Sequence, residues 1–403
     1  MTKPGFPLRD LCVLRGETFF SMNNPVPYWR LSGYYFFYFA FVGAIAPYWG
    51  PYLKSLGFDA FDIGVLMSLL AVTRIFAPNL WGWLADRSGK RVAIVQMAAI
   101  ASLFCFAGVF FGQSFWWMFA VMTGMSFFWS ASLPLVEATT FSHLGERTNG
   151  YGRIRLWGSL GFIDSVVSLG YVLDLVSISW LPWMVFTLLA GVALFARFIP
   201  EAELLPHAHD HVSIWKLMRD PQVMVLIAAC FLMAAAHGPY YSFYSIYLGE
   251  HGYSKSLIGW LWALGVICEI GIFLIAPRLF KRFAIEHVLM ASFAFGVLRF
   301  LIIAWGIESP ALIVFAQVLH AATFGAYHAS AVGLINRFFK GRHQAKGQGI
   351  YNSISFGAGG ALGSLYAGLT WDGLGASGTF TIAAGCAMLG LILLLWKFRS
   401  SPA

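Results

Sequence analysis

Eight ionisable side chains stand inside stretches that are otherwise apolar: Arg74, Glu137, Asp164, His237, Glu269, Arg299, His320 and His328. Ionisable groups in such settings are costly to keep and are functional candidates by default. Two kinds of chemistry follow from their types. A carboxylate that burial pulls toward its neutral form, and a neighbouring guanidinium toward its charged form, takes up or releases a proton when the guanidinium moves. Glu269 is the first candidate for that role and Glu137 the second, with His320 assisting because an imidazole titrates near neutrality. Arg74 and Arg299 keep their charge under all ordinary conditions, which suits them to anchoring an anion. Counted inward from the ends of the apolar runs, Arg74, Glu269, Arg299 and His320 share one level, roughly 15 to 20 Å deep at 1.5 Å per residue.

Each assignment has a plainer counterpart. Glu269 and Arg299 also fit a structural ion pair that fixes helix packing, and Arg74 fits a pair with Glu137 or Asp164. Tyr34 and Tyr38, and then His237, Tyr241 and Tyr244, recur at helical spacing. They either line a cavity, offering flat apolar faces with hydroxyl partners, or pack as ordinary core and belt aromatics. Arg153 and Arg155 are explained by anchoring at the membrane surface.

These residues need a membrane-spanning frame. With 59% hydrophobic and 11% charged residues, and a mean hydropathy of +0.71, the chain has more apolar surface than a soluble core of its length hides. Runs of about 20 residues cross roughly 30 Å of hydrocarbon. Twelve are expected, over 30–53, 62–84, 92–112, 115–141, 154–173, 179–198, 222–248, 257–279, 287–306, 310–335, 348–371 and 377–397. No removable signal peptide is expected in the mixed N-terminal stretch. Of the Lys and Arg residues, all but Lys54, Lys255, Arg74 and Arg299 fall in tails or inward loops if the N-terminus is inside, so both termini are expected in the cytoplasm. The net charge of +8 is largely this bias, and no nucleic-acid partner is implied. Five cysteines, four of them in apolar runs, offer no disulfide framework.

Residues 52–76 and 247–271 match at a constant offset of 195: Tyr52-Leu53 with Tyr247-Leu248, Gly57-Phe58 with Gly252-Tyr253, Ile63-Gly64 with Ile258-Gly259, and Arg74 opposite Glu269. Duplicated halves meeting at a midplane site are a common build for membrane transporters. The expected organisation is a cytoplasmic tail (1–29), a six-helix bundle (30–198), a linker (199–221), a second six-helix bundle (222–397) and a short tail (398–403). The linker cluster of His207, His209, Asp210 and His211 is read as solvated chain; no metal is expected.

After the second span the chain reads Gly82-Trp83-Leu84-Ala85-Asp86-Arg87-Ser88-Gly89-Lys90-Arg91. This stretch resembles the loop signature of the major facilitator superfamily. The resemblance implies an all-α fold of twelve transmembrane helices in two pseudo-symmetric halves, and a gating latch built on Gly82, Asp86, Arg87, Gly89, Lys90 and Arg91. In that latch Asp86 packs near the start of the eleventh helix, whose N-terminus attracts an anion. A fuller resemblance is to the phenylpropionate-transporter-like members, relatives of the lactose and nucleoside proton symporters. It is carried by Tyr151 to Ser159, His237 with Tyr240-Tyr241, Glu269, Arg299, Leu319-His320 and His328. It implies that Glu, Arg and His on the eighth to tenth helices serve solute and proton binding. The second Glu that lactose permease carries one turn after the His is Thr323 in this chain, which leaves Glu269 as the first proton carrier.

The expectation is therefore a proton-coupled symporter of the inner membrane, not an enzyme. It takes no cofactor but the proton and works as a monomer among membrane lipids. Its leading solute is an aromatic monocarboxylate such as 3-phenylpropionate, held by Arg74, Arg299, His237, Tyr241, Tyr34 and Tyr38. Sugar or nucleoside symport is the alternative. Drug/proton antiport is less favoured, because the fifth span reads Trp157-Gly158-Ser159-Leu160-Gly161-Phe162 without a Pro after the Gly. A membrane sensor would need an output domain. His320 and His328, eight residues apart, lie about 80° apart around an α-helix and are not expected to share a metal.

Overall fold

A computed structural model describes residues 26–145, 147, 150–202 and 215–398. The linker histidines and most of both tails lie outside the described residues. Six helices form the first half: α1 Tyr28–Ser55, α2 Ala60–Ser88, α3 Arg91–Ala107, α4 Phe115–Leu144, α5 Tyr151–Leu175 and α6 Leu181–Phe198. The second half comprises α7 Pro221–Glu250, α8 Lys255–Arg282, α9 Ile285–Trp305, α10 Pro310–Phe338, α11 (344–374) and α12 (376–398). Among the described residues ten helices are long and apolar enough to cross a membrane, and the last of these, Gln344–Phe398, is two spans bent at Gly375 (φ 69°, ψ 175°). α1 is long enough at 28 residues but carries many Tyr, Trp and Pro residues and falls outside those ten. The twelve expected segments are thus all helical.

Local sequence sets the helix ends. Asp59 accepts from the Asp62 N–H at 2.8 Å to cap α2, and Ser254, its counterpart at the 195 offset, accepts from Leu257 N–H at 3.2 Å to cap α8. Gly57 and Gly252, also counterparts, both take positive φ in the turns before these caps (90° and 79°). The duplication read from sequence is therefore structural as well.

The halves meet along α1/α7, α2/α11 and α5/α8, and the matched Ile-Gly pairs make the seam. A Cβ at Gly64 would lie 2.9 Å from the Gly368 Cα, and one at Gly259 would lie 2.1 Å from the Val166 carbonyl oxygen. Only glycine lets the backbones come so near. These contacts lie toward the distal face, opposite the face where α1 begins and α12 ends. There Lys54 pairs with Glu250 across the seam. Asp174 at the end of α5 accepts from the N–H groups of Lys255 and Ser256 (2.8 and 3.0 Å), capping α8 from the other half. Tyr48 donates to the carbonyls of Val166 (2.6 Å) and Lys255 (3.1 Å).

α2 and α11 stay in contact past the middle of the span. A Cβ at Gly360 would lie 3.4 Å from Ala71 Cβ, one at Gly357 would lie 2.8 Å from Ile75 Cγ1 and 3.2 Å from its backbone N, and one at Gly349 would lie 3.8 Å from Asn79 Oδ1, while one at Gly82 would meet nothing within 4 Å. Asp86, expected against the start of α11, instead pairs with Arg91 of its own loop (3.7 Å) and is 65% exposed. Arg87 lies over the Trp83 ring, and Gly89 ends α2 in the left-handed conformation (φ 68°). On the distal face the halves are joined by an ion pair, hydrogen bonds and close glycine contacts.

Candidate functional site

The second half builds its share of the site on a break in regular helix. Residues Ala321–Ala326 of α10 form a π-helical stretch, whose turn takes up more residues than an α turn. The 80° expected between His320 and His328 is thereby largely removed. Both rings lie nearly parallel to Phe324 between them (14° and 12°), with ring centres 5.3 and 6.2 Å away. They share one face, though with Phe324 interposed they hold no common metal, and no group of metal-binding side chains occurs among the described residues.

α8 packs onto this face through small residues. A Cβ at Gly265 would lie 3.2 Å from His320 Cδ2, and one at Gly325 would lie 3.2 Å from Glu269 Cγ. Glu269 is half-buried and, among the described residues, makes no ion pair or hydrogen bond. Arg299, one helix away on α9, is 0% exposed. Its Nε donates to the Ala316 carbonyl (3.0 Å), and its Nη1 to His237 Nε2 and to Thr323 Oγ1 (3.3 Å each). The Tyr240 ring lies 4.3 Å from its Cζ. The structural ion pair between Glu269 and Arg299 is thus not formed. Because His237 Nδ1 faces the Met233 carbonyl at 2.8 Å, it carries the proton, which leaves Nε2 as the acceptor toward Arg299. Tyr240 donates to Gln317 Oε1 (3.0 Å), and Gln317 Nε2 donates to Tyr244 (2.5 Å). That network holds the aromatic wall over the guanidinium.

The first half contributes a second polar group. Tyr151 donates to Glu137 Oε1 at 3.1 Å, and Arg155, one turn along α5, lies over the Phe39 ring at 3.9 Å. The Arg155 guanidinium thus lies against α1, with Cζ also 6.0 Å from the Tyr35 ring centre. Tyr35 bonds Thr140 (3.2 Å) at its side. Arg74 is exposed, about half a turn around α2 from Trp83, which turns it away from the lipid-facing side of that helix.

Arg74 is exposed and Glu137, Glu269 and Tyr241 are half-buried, whereas Arg299, His237 and His320 (0%, 4% and 5% exposed) are buried. Tyr34 is 0% exposed and packs within the first half, and Tyr38 lies flat on Trp129 with ring centres 3.9 Å apart. Neither presents an open face to a solute here. Asp164 is exposed on the α5 stripe that includes Leu160, Tyr171 and Leu175, away from Arg74. Among the described residues Arg74 pairs with neither Asp164 nor Glu137. Arg155, expected as a surface anchor, is half-buried against Phe39 and Tyr35 of α1. Its signal in the sequence is the four-residue spacing from Tyr151, which puts both side chains on one helix face. Two cavities on the distal face, about 330 and 290 Å³, lie away from all these groups, one beside Trp183 and one beside Trp371.

A family model described as "MFS_1 like family" matches residues 28–382. The chain belongs to that family. This transporter is 28% identical over 369 residues to the Probable 3-phenylpropionic acid transporter of Escherichia coli (strain K12), covering 91% of this chain and 96% of that one. It is 26% identical to the Maltose permease of Geobacillus stearothermophilus, covering 90% and 92%. Among solved structures, the nucleoside transporter NupG superposes with a TM-score of 0.81 at 19% identity, covering 93% of this chain and 99% of that one, which shows a shared fold. The chain is a membrane transporter of the major facilitator type, not an enzyme.

Proposed function

We propose that this transporter carries an aromatic monocarboxylate inward together with a proton, by alternating access, across the cytoplasmic membrane with both termini inside. The observation that carries the reading is the charge balance of the space between the halves. Arg74 and Arg155 stand at it without an ion pair among the described residues; of its two carboxyl groups, Glu137 accepts from Tyr151 and Glu269 has no bonded partner among the described residues. Two guanidinia suit a carboxylate, which they bind by charge-assisted hydrogen bonds. The half-buried rings of Phe39 and Tyr241 give an apolar body something to lie against. An incoming carboxylate that engages Arg155 offsets its charge, which raises the proton affinity of Glu269. The ion pair and hydrogen bonds joining the halves on the distal face direct release toward the terminal face. The protein is proposed to act as a monomer, with the proton its only coupling partner.

A sugar or nucleoside as solute is the second reading, favoured by the likeness to Maltose permease and by the hydrogen-bonding pair Tyr151–Glu137. The test is uptake of labelled 3-phenylpropionate into proteoliposomes with maltose and a nucleoside as competitors. Inhibition by other aromatic carboxylates alone supports the acid. Inhibition by maltose or the nucleoside, with no phenylpropionate uptake above empty liposomes, moves the solute to the neutral class.

A further inference from the structure

The Arg299 guanidinium carries a charge that its surroundings do not balance. It is wholly buried, yet every group touching it is neutral: the Ala316 carbonyl, His237 through its Nε2 lone pair, Thr323, and the rings of Tyr240 and Phe300. Among the described residues no carboxylate lies within 4.0 Å of it. Among the described residues its Nη2 has no hydrogen-bond partner. Nor has Nδ1 of His320, a second buried nitrogen that donates in its Nδ1–H tautomer and whose ring lies 6.2 Å from that of His237. A guanidinium cannot shed its proton to escape this situation, and a buried charge with unfilled donors is expensive. Coulomb attraction is also strongest where water is excluded.

We propose that the cage around Arg299 is a binding site for one small monovalent anion, held by Arg299 Nη2 and by the Nδ1–H tautomer of His320. Two sources share that chemistry: a halide from solution and the carboxylate of the solute. Enclosure by Tyr240, His237 and Phe300 favours the halide, since Arg74 and Arg155 stand open to a bulkier acid. A resident anion makes the Arg299 neighbourhood neutral, so that the charges a solute meets are those of Arg74, Arg155, Glu137 and Glu269.

The test uses the full chain in lipid nanodiscs, in sodium gluconate at fixed ionic strength, with gluconate replaced stepwise by chloride or bromide and the melting temperature followed. A ligand that binds only the folded state raises the melting temperature saturably. Both halides should do so, and Arg74→Gln should keep the effect. Arg299→Met should abolish it. His320→Phe, which keeps the ring stacking but removes the second donor, should shift the halide midpoint up about tenfold, the loss of one hydrogen bond to a charged group. If 3-phenylpropionate raises the halide midpoint competitively, the occupant is the solute carboxylate; additive effects assign the cage to the halide. Superimposed curves in chloride, bromide and gluconate, with no Arg299-dependent response to 3-phenylpropionate, overturn the proposal. So does a halide response undiminished in Arg299→Met. Should that variant fail to fold, bromide anomalous scattering from wild-type crystals decides: a peak within hydrogen-bond reach of Nη2 is expected, and none there at saturating bromide refutes the site. These readouts are independent of proton coupling and of transport.

Discussion

Gly259→Ala tests the distal seam. The added methyl would sit 2.1 Å from the Val166 carbonyl oxygen and 2.7 Å from Tyr48 Oη. Ordinary contact with the carbonyl requires about 1 Å more, given the hard-core spacing of carbon against oxygen. The obstacle is backbone, so α5 and α8 must separate. That movement strains the bonds joining them: Tyr48 to Val166 and Lys255, and Asp174 to the Lys255 and Ser256 N–H groups. Losing one neutral bond and one to the carboxylate costs about 2 to 4 kcal/mol, or roughly a 30-fold to several-hundred-fold shift away from the distally closed state. The assay is alkylation by a membrane-impermeant maleimide of Ile246→Cys, a residue 4% exposed at this seam, in a background lacking the native cysteines. Labelling from the distal side should rise by at least tenfold. An unchanged rate in a folded Gly259→Ala protein would refute the argument that close glycine packing holds the distal face shut.

Three further outcomes follow. Glu269→Gln should lose accumulation of solute against its gradient while keeping exchange of labelled for unlabelled solute, measured by counterflow; full accumulation would remove Glu269 from coupling. Arg155→Gln should weaken binding of an anionic solute about tenfold to a hundredfold, as expected for one charge-assisted contact of about 1.5 to 3 kcal/mol, and an affinity unchanged by calorimetry would return Arg155 to a structural role. Gly325→Ala places a methyl 3.2 Å from Glu269 Cγ, a contact that a small side-chain shift relieves. It should slow gradient-driven uptake several-fold and leave the melting temperature within about 2 °C, since a crowded contact that yields costs under about 1 kcal/mol.

The helices and the duplication were legible because apolar length and a fixed offset survive in one sequence. The matched pairs Ile63-Gly64 and Ile258-Gly259 carried that offset, and in the structure their glycines pack at the seam between the halves. Which way a side chain points was not legible. These helices are apolar almost all round, so hydrophobic periodicity does not separate a lipid face from a packed one. Asp164 and Arg74, alike as buried charges in the sequence, fall on a lipid-facing stripe and away from one respectively. Arg155 looked like an anchor because it lies near a span end, and only the packing of α5 on α1 half-buries it. The alignment of His320 with His328 depends on the π-helical turn of α10, which no spacing rule based on 3.6 residues per turn reveals. The enclosure of Arg299 by Tyr240 and Gln317 is likewise a product of tertiary packing.

Proton coupling through Glu269 is the central claim. Its most direct test is the pH of a weakly buffered external medium when 3-phenylpropionate is added to proteoliposomes, with protein-free liposomes subtracting passive entry of the acid. The wild-type protein should alkalinise the medium in step with solute entry, and Glu269→Gln should not. Protein-dependent solute entry without proton movement, or alkalinisation undiminished in Glu269→Gln, would contradict the account.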